Sequence, residues 1–289
     1  MAIAFAVLSS LCFGSALISG RVGLRVLDAR AGAAISIPTA TVLFVIAAPF
    51  ALDFGGFDLR AVAWFAGVGL FFPAIVTLLT FRSNELLGPT VTSAVSGSAP
   101  LFALLGAALL LGEHVPARAT VAATGVVAGV ALLSWHRGGE RTRFAGRAML
   151  WPLAGALVRG LAQVGAKAGL SIWASPFAAG LTGYLVSSAT VLAADRARAN
   201  RPRRLTRSGV AWFATTGLLN GSAVLLLYAA LSAAPVWRVA PIVASYPLVT
   251  ALLGALLLRD EKLSLQVAAG ALVTVAAIML LVAAPLSAP

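Results

Sequence analysis

Charged residues are scarce in this sequence: they make up 10% of its 289 residues, whereas 60% are hydrophobic, and the mean hydropathy is +0.98. This composition excludes an ordinary soluble domain, because most of the surface would be apolar in water. Cysteine and histidine are almost absent, with one and two residues. A lone cysteine excludes an intrachain disulfide and a cysteine-rich zinc cluster, so we expect neither a metal nor a cofactor.

The few charges are mostly basic, with a formal net charge of +12. Lys and Arg occur in short stretches between apolar blocks, not in one stripe interleaved with aromatic residues, which argues against a nucleic-acid partner. A bilayer with anionic headgroups and a small-molecule substrate are the expected partners. The sequence indicates no oligomeric state.

Ten apolar stretches are long enough to cross about 30 Å of hydrocarbon as helices. The first has no basic region before it and runs past signal-peptide length, so we interpret it as a membrane span. All six Trp residues fall near predicted span ends, where indole rings favour the headgroup boundary. The predicted spans are residues 2–19, 32–52, 61–81, 87–111, 119–136, 148–169, 172–194, 209–232, 236–258 and 265–284.

The two halves of the chain repeat one another. Short strings of residues, single glycines and single acids of the first half recur in the second half, in the same order and at a nearly constant distance along the chain. Chance similarity between Ala/Leu-rich helices does not produce such a series in three places. The matched pairs are Val62–Ala66 with Val210–Ala214, Ala103–Ala107 with Ala251–Ala255, Glu113 with Glu261, and Gly14 with Gly160.

These repeats predict an all-α integral membrane protein of ten transmembrane helices in two inverted five-helix repeats. The first repeat is residues 1–136, the second is residues 148–289, and a basic loop at 137–147 joins them. Five crossings are an odd number, so the second copy enters the membrane upside down. Such folds place the substrate site near the midplane between the halves.

A pattern of Pro, Gly and a span-end Glu resembles the EamA family of the drug/metabolite transporter superfamily. The pattern runs from Pro100 to Glu113 with Gly125 in the first half, and from Tyr246 to Glu261 with Gly270 in the second half. The resemblance implies that spans 1, 3, 4, 6, 8 and 9 line a central cavity. It implies a metabolite transporter in the plasma (inner) membrane, working by alternating access; we expect export of an amino acid, organic anion or similar compound. A lipid carrier or flippase on the same fold is the alternative.

Arg159 is the first substrate-binding candidate, since it lies near the middle of span 6, where a charge costs about 2.5 to 3.5 kcal/mol. One interpretation is that it binds a substrate carboxylate or phosphate. The other is that it caps carbonyls of a broken helix or snorkels. Gln163 follows at i+4 on the same face. The further substrate-binding candidates, all polar groups inside predicted spans, are Asn220, Tyr246, Tyr184 and Ser96.

A second group of candidates is structural or gating. The prolines can kink a helix for packing or act as a hinge, and the matched glycines allow close helix contact. The two acids end equivalent spans, where a carboxylate opposes the helix dipole, so we expect partners for them, such as Arg118 or Lys262. This group consists of Pro73, Pro100, Pro247, Gly14, Gly160, Glu113 and Glu261.

The nine acids all lie in connections or at span ends. This distribution argues against a proton relay through the membrane core. An intramembrane enzyme is also disfavoured, because no cluster of acids, histidines or a nucleophile with its base is present, and we predict no catalytic residue. Most of the 21 Lys and Arg residues fall in the connections that follow predicted spans 1, 3, 5, 7 and 9. Positive connections usually face the cytoplasm, so this distribution favours both termini outside. The family resemblance implies cytoplasmic termini instead.

Overall fold

The computed structural model describes residues 1–134, 145–197, 205–257 and 265–282. Within these ranges the chain is helical, with short turns between helices and no β-strand. The helical segments are α1 Ala2–Gly23, α2 Ala29–Ala51, α3 Leu59–Phe71, α4 Ala74–Ser96, α5 Ala99–Leu110, α6 Ala117–Ser134, α7 Ala145–Ala148, α8 Leu150–Ile172, α9 Pro176–Arg196, α10 Arg207–Ala233, α11 Val236–Val243, α12 Tyr246–Leu257 and α13 Leu265–Val282.

The predicted all-helical membrane architecture is confirmed, but the count of ten helices is not. Predicted spans 3, 4 and 9 are interrupted. The first interruption separates α3 from α4 at Pro73, and Gly88 inside α4 has φ 80°, a conformation that breaks the helix. The others separate α5 from α4 and α12 from α11. Hydropathy alone does not show these breaks, because the apolar composition continues across them.

Six stretches of the described chain are long and apolar enough to cross a membrane. Large hydrophobic side chains are exposed along them, for example Phe50 at 92% and Ile46 at 66%. Such exposure would be unfavourable in water and suits the hydrocarbon of a bilayer. The stretches are Ala2–Gly23, Ala29–Ala51, Leu59–Pro89, Pro176–Ala197, Arg207–Ala233 and Val236–Leu257.

Short polar side chains cap the N-termini of several helices. The carboxylate of Asp28 accepts a hydrogen bond from the Ala31 amide at the start of α2, and Asp58 does the same for Arg60 at the start of α3. Ser175 and Thr206 cap α9 and α10 in the same way. Each cap satisfies a backbone N–H that has no partner inside the helix.

Helices from the two halves of the chain pack together in the centre. Helix α1 packs mainly on α10, α2 on α9 and α10, and α5 on α8. Glycines permit the closest approaches: a Cβ at Gly217 of α10 would overlap the Ser36 carbonyl of α2. Helices α6 and α13 form a separate pair, in which Gly129 lies against Thr274. The core therefore depends on small residues, as is usual for helices that associate in lipid.

Candidate functional site

Arg159 lies in the tenth position of α8, in the interior of the helix bundle. Its side chain is 8% exposed, and the guanidinium carbon stands 5.1 Å from the ring centre of Phe13 and 5.5 Å from that of Tyr246. Aromatic faces attract a cation at this distance, and the attraction is strongest where water is excluded. Helices α1, α8 and α12 thus meet around one buried positive charge.

The guanidinium has no counter-ion and no hydrogen bond among the residues that the structure describes, and its Nε is buried without a partner. A charge in the membrane interior is usually paired or hydrogen-bonded. The aromatic faces compensate only part of the lost hydration, because they accept no N–H with the geometry of a carboxylate. An anionic group at this place would supply the charge compensation that the described residues do not provide.

Other buried polar atoms near Arg159 also lack hydrogen-bond partners among the described residues. They are Gln163 Oε1, one turn along α8, and the hydroxyls of Tyr184 and Tyr246. The Tyr246 ring contacts the guanidinium, and Tyr184 lines the same cavity as Arg159. Ser96 lies beside the Tyr246 hydroxyl without hydrogen-bond geometry. Buried polar groups are normally satisfied, so this cluster marks a site where a ligand or water completes the bonding.

A small cavity adjoins the guanidinium. Its volume is about 30 Å³, and its described lining includes Phe13, Pro73, Arg159, Tyr184 and Asn220. Asn220 is half-buried and makes no hydrogen bond with the described residues. A cavity of this size holds roughly two waters, whereas sites for small organic ligands enclose roughly 300 Å³ or more. The site is therefore contracted in this conformation.

The interruption at Pro73 borders this cavity and is held by a neighbouring helix. Proline has no N–H, so the Gly69 carbonyl four residues earlier loses its helical partner. Ser187 of α9 donates to that carbonyl and accepts from the Ala74 amide at 3.2 Å. One fully buried hydroxyl thus satisfies both sides of the break.

Gly14 and Gly160 make reciprocal contacts between the halves. A Cβ at Gly14 would lie 2.8 Å from the Tyr246 carbonyl oxygen at the start of α12, and one at Gly160 would lie 2.8 Å from the Ala99 carbonyl oxygen at the start of α5. Any side chain at either glycine would force these helices apart. Each glycine thus packs against the interrupted span of the opposite half, immediately after its break.

Pro100 and Pro247 stand in the second positions of α5 and α12. A proline in the first turn of a helix removes no hydrogen bond, because the first amides have no helical partner. Both residues thus start new helices after a break, and neither kinks a continuous helix.

Arg21 and Lys167, which follow the matched Gly14 and Gly160 by seven residues each, bind backbone carbonyls where helices kink or end. Arg21 of α1 donates to the Asn84 carbonyl at 2.9 Å, just before the Gly88 kink. Lys167 of α8 donates to the carbonyls of Leu231 at 2.7 Å and Ala234 at 3.1 Å, at the end of α10. The last carbonyls of a helix are otherwise unsatisfied and carry its negative dipole end, so a cation stabilises them.

Glu113 accepts the Val236 amide with both carboxylate oxygens, at 3.2 and 3.1 Å. Its carboxylate therefore sits at the N-terminus of α11, where the helix dipole favours a negative charge. It also interacts electrostatically with Lys167. The sequence indicated a partner for Glu113 but not this one. Glu261 lies outside the described residues, as does Lys262.

Comparison with known families decides the identity of the chain. The sequence model of the EamA-like transporter family matches residues 1–135 and matches again at residues 146–283. The chain belongs to the EamA-like transporter family. The resemblance noted from the sequence is confirmed, and with the apolar helices it identifies a multi-pass membrane protein with a transporter fold.

A solved structure, described only as the crystal structure of a protein, shares this EamA-like fold. It has 15% sequence identity and a TM-score of 0.75, over 96% of this chain and 95% of the other. At that identity the likeness shows the fold alone. No curated protein sequence matches the chain.

The site of this EamA-like protein contains residues that the sequence did not single out. Phe13 and Tyr228 surround the candidates: Phe13 faces Arg159, and the buried Tyr228 lies close to Tyr184. Aromatic residues are common in apolar spans, and nothing in a linear pattern distinguishes a packing ring from a ring that faces a cation. The position of Phe13 beside the matched Gly14 was the one available signal.

Proposed function

We propose that the protein exports a small anionic metabolite across the plasma membrane by alternating access, with Arg159 binding the anionic group. The observation that carries the proposal is the buried guanidinium without a counter-ion among the described residues. A substrate carboxylate or phosphate would supply the missing charge and would bind the planar guanidinium through two parallel hydrogen bonds.

The helical segments support ten crossings in two inverted halves. Helix α3 and the part of α4 before Gly88 would form one crossing, and the rest of α4 with α5 the next. Helices α11 and α12 would form another, and α7 would lie in the connection. We propose halves at residues 1–136 and 148–289. The reciprocal contacts of the matched glycines and the matched helix-end cations support this pseudo-symmetry.

Alternating access requires the cavity beside Arg159 to widen, because about 30 Å³ cannot hold a metabolite. The helix break at Pro73 borders this cavity, and the break between α11 and α12 comes directly before Tyr246, which contacts Arg159. Together with the break between α4 and α5, they supply the places where segments can tilt. Backbone groups at such breaks avoid lipid only where they are buried in protein or line a cavity. The contracted cavity is the expected geometry of an occluded state between the two open ones.

Coupling to protons through a buried carboxylate is not part of the proposal. The acids in the described chain lie in connections, near helix ends or, for Glu85, three residues before the Gly88 kink of α4. They are Asp28, Asp53, Asp58, Glu85, Glu113 and Asp195. No carboxylate in the described ranges adjoins the Arg159 cavity. We therefore propose facilitated diffusion or exchange of anions.

Two measurements test this function. Extracellular metabolites of cells that overexpress the protein are compared with those of deletion cells, and we expect enrichment of an acidic compound. Flux of that compound is then measured in proteoliposomes for the wild type, Arg159→Leu and Arg207→Gln. Arg207 is an exposed residue at the start of α10, so its variant controls for loss of one positive charge.

We expect Arg159→Leu to abolish flux and Arg207→Gln to preserve it. Full flux in a correctly inserted Arg159→Leu variant contradicts the proposal. Scrambling of labelled lipid without metabolite flux would favour the flippase alternative, and product formation without vectorial movement would favour an enzyme.

A further inference from the structure

A lateral groove lies between α3 and α8, on the lipid-facing surface of the bundle. Its volume is about 800 Å³, and nearly all of its lining is apolar. The floor consists of small residues, among them Gly67 of α3 and Ala162 and Gly165 of α8, and bulkier side chains such as Trp64 and Phe71 form the walls. This groove is separate from the contracted cavity that Arg159 lines.

Arg60 is the one charged residue among the described residues that line the groove. It is exposed in the first turn of α3, and its side chain makes no hydrogen bond or ion pair with the described chain. The nearby Asp58 carboxylate is already engaged by the Arg60 backbone amide. Trp64, 49% exposed, lies one turn deeper. A cation followed by an indole is typical of a helix entering the membrane at headgroup level.

The length of the groove matches one leaflet of a bilayer. From Arg60 to Phe71 the helix rises about 16 Å, at 1.5 Å per residue. Half of the hydrocarbon core is about 15 Å. A chain that begins at the Arg60 end therefore reaches the midplane where α3 ends at Phe71.

We propose that this groove is a binding site for one anionic glycerophospholipid, with an acyl chain between α3 and α8 and the headgroup phosphate on Arg60. Burying an acyl chain in protein instead of lipid gains little hydrophobic energy, because both surroundings are apolar. Selectivity for this lipid over bulk lipid therefore comes from the Arg60 charge and from the shape of the groove. The proposal does not depend on the assignment of Arg159.

Gly67 offers a substitution that fills the groove without disturbing the fold. A Cβ built on Gly67 meets no atom within 4 Å, so a leucine there has open space in the groove itself. Ala131, exposed on α6 far along the chain, is the matched position for adding the same bulk outside the groove. Arg207→Gln is again the matched control for the charge.

The test is native mass spectrometry of the delipidated protein, titrated with phosphatidylglycerol and separately with phosphatidylcholine. We expect the first phosphatidylglycerol molecule to bind at a lower lipid concentration than any further molecule does. Phosphatidylcholine should bind more weakly than this first phosphatidylglycerol. Arg60→Gln should weaken this binding about fivefold, the effect of one basic side chain at an anionic surface. Gly67→Leu should abolish it with an unchanged melting temperature, whereas Ala131→Leu and Arg207→Gln should bind as the wild type does.

Three results would overturn the proposal. They are equal binding of the two lipids, equal effects of the Arg60→Gln and Arg207→Gln substitutions, and wild-type binding by Gly67→Leu.

Discussion

Replacing Ser187 by alanine removes the hydroxyl that bridges the break at Pro73. In the wild type this buried hydroxyl donates to the Gly69 carbonyl and accepts from the Ala74 amide. Alanine has nearly the same volume, so packing is kept while two backbone groups lose their only partner in the described chain. We therefore expect a loss of stability that comes from hydrogen bonding alone.

The magnitude follows from these two groups. Side-chain hydrogen bonds inside membrane proteins contribute about 0.6 kcal/mol on average and up to about 1.7 kcal/mol, and an unsatisfied buried polar group costs about 1–3 kcal/mol. Ser187→Ala removes two hydrogen bonds and leaves both backbone partners buried, so its energetic cost lies at the upper end of the range for hydrogen bonds inside membrane proteins. We expect Ser187→Ala to lower the free energy of unfolding by about 2 kcal/mol.

Reversible unfolding in mixed detergent micelles measures this loss, with Thr190→Ala as the matched control. Thr190 lies on the same helix, and its hydroxyl donates to the Val186 carbonyl of its own helix at 2.9 Å. That carbonyl keeps its helical amide when the hydroxyl is removed, so the control should lose less than about 0.5 kcal/mol. Equal stability of the two variants would show that Ser187 does not hold the break.

Three further predictions concern contacts between helices. Gly14→Ala and Gly160→Ala should each destabilise the protein by about 1–3 kcal/mol in thermal unfolding, because the new methyl group meets backbone. Gly67→Ala should not destabilise it, because its methyl group meets open space and alanine favours the helix. Equal melting temperatures for all three variants would contradict the packing described here. Glu113→Gln should lower stability by about 1 kcal/mol by weakening the cap of α11, and an unchanged unfolding midpoint would refute that role. Lys167→Met should cost a similar amount, and because Lys167 and Glu113 interact, the double variant should lose less than the sum of the single losses; strict additivity would mean that the two caps are independent.

Hydropathy and the internal repeat were enough to predict a helical membrane protein, and the pattern of Pro, Gly and a span-end Glu was enough to predict its family. These signals depend on local composition and on order along the chain. The breaks in the spans were harder to predict. Prolines indicate the region of the chain in which a break occurs but not its position. Pro100 and Pro247 stand after the breaks, as the second residues of new helices. A proline in an apolar stretch is compatible with a kink, a break or a helix start, and tertiary packing decides between them.

The candidate site was predictable only in part. Arg159 stood out because a charge inside an apolar span needs a reason. Its surroundings could not be predicted, since Phe13 and Tyr246 come from spans at opposite ends of the sequence. The same limit applied to Glu113, whose partner Val236 lies in the other half of the chain. Contacts between distant segments leave no periodic pattern in one sequence.

The central claim is that the Arg159 guanidinium binds the anionic group of the substrate. The most direct measurement compares proteoliposome flux of a transported carboxylate with flux of its neutral amide, for the wild type, Arg159→Lys and Arg159→Gln. We predict that the wild type favours the carboxylate at least tenfold, that lysine keeps part of the preference as a point charge, and that glutamine removes it. A glutamine variant that still favours the carboxylate as strongly as the wild type does would contradict the account.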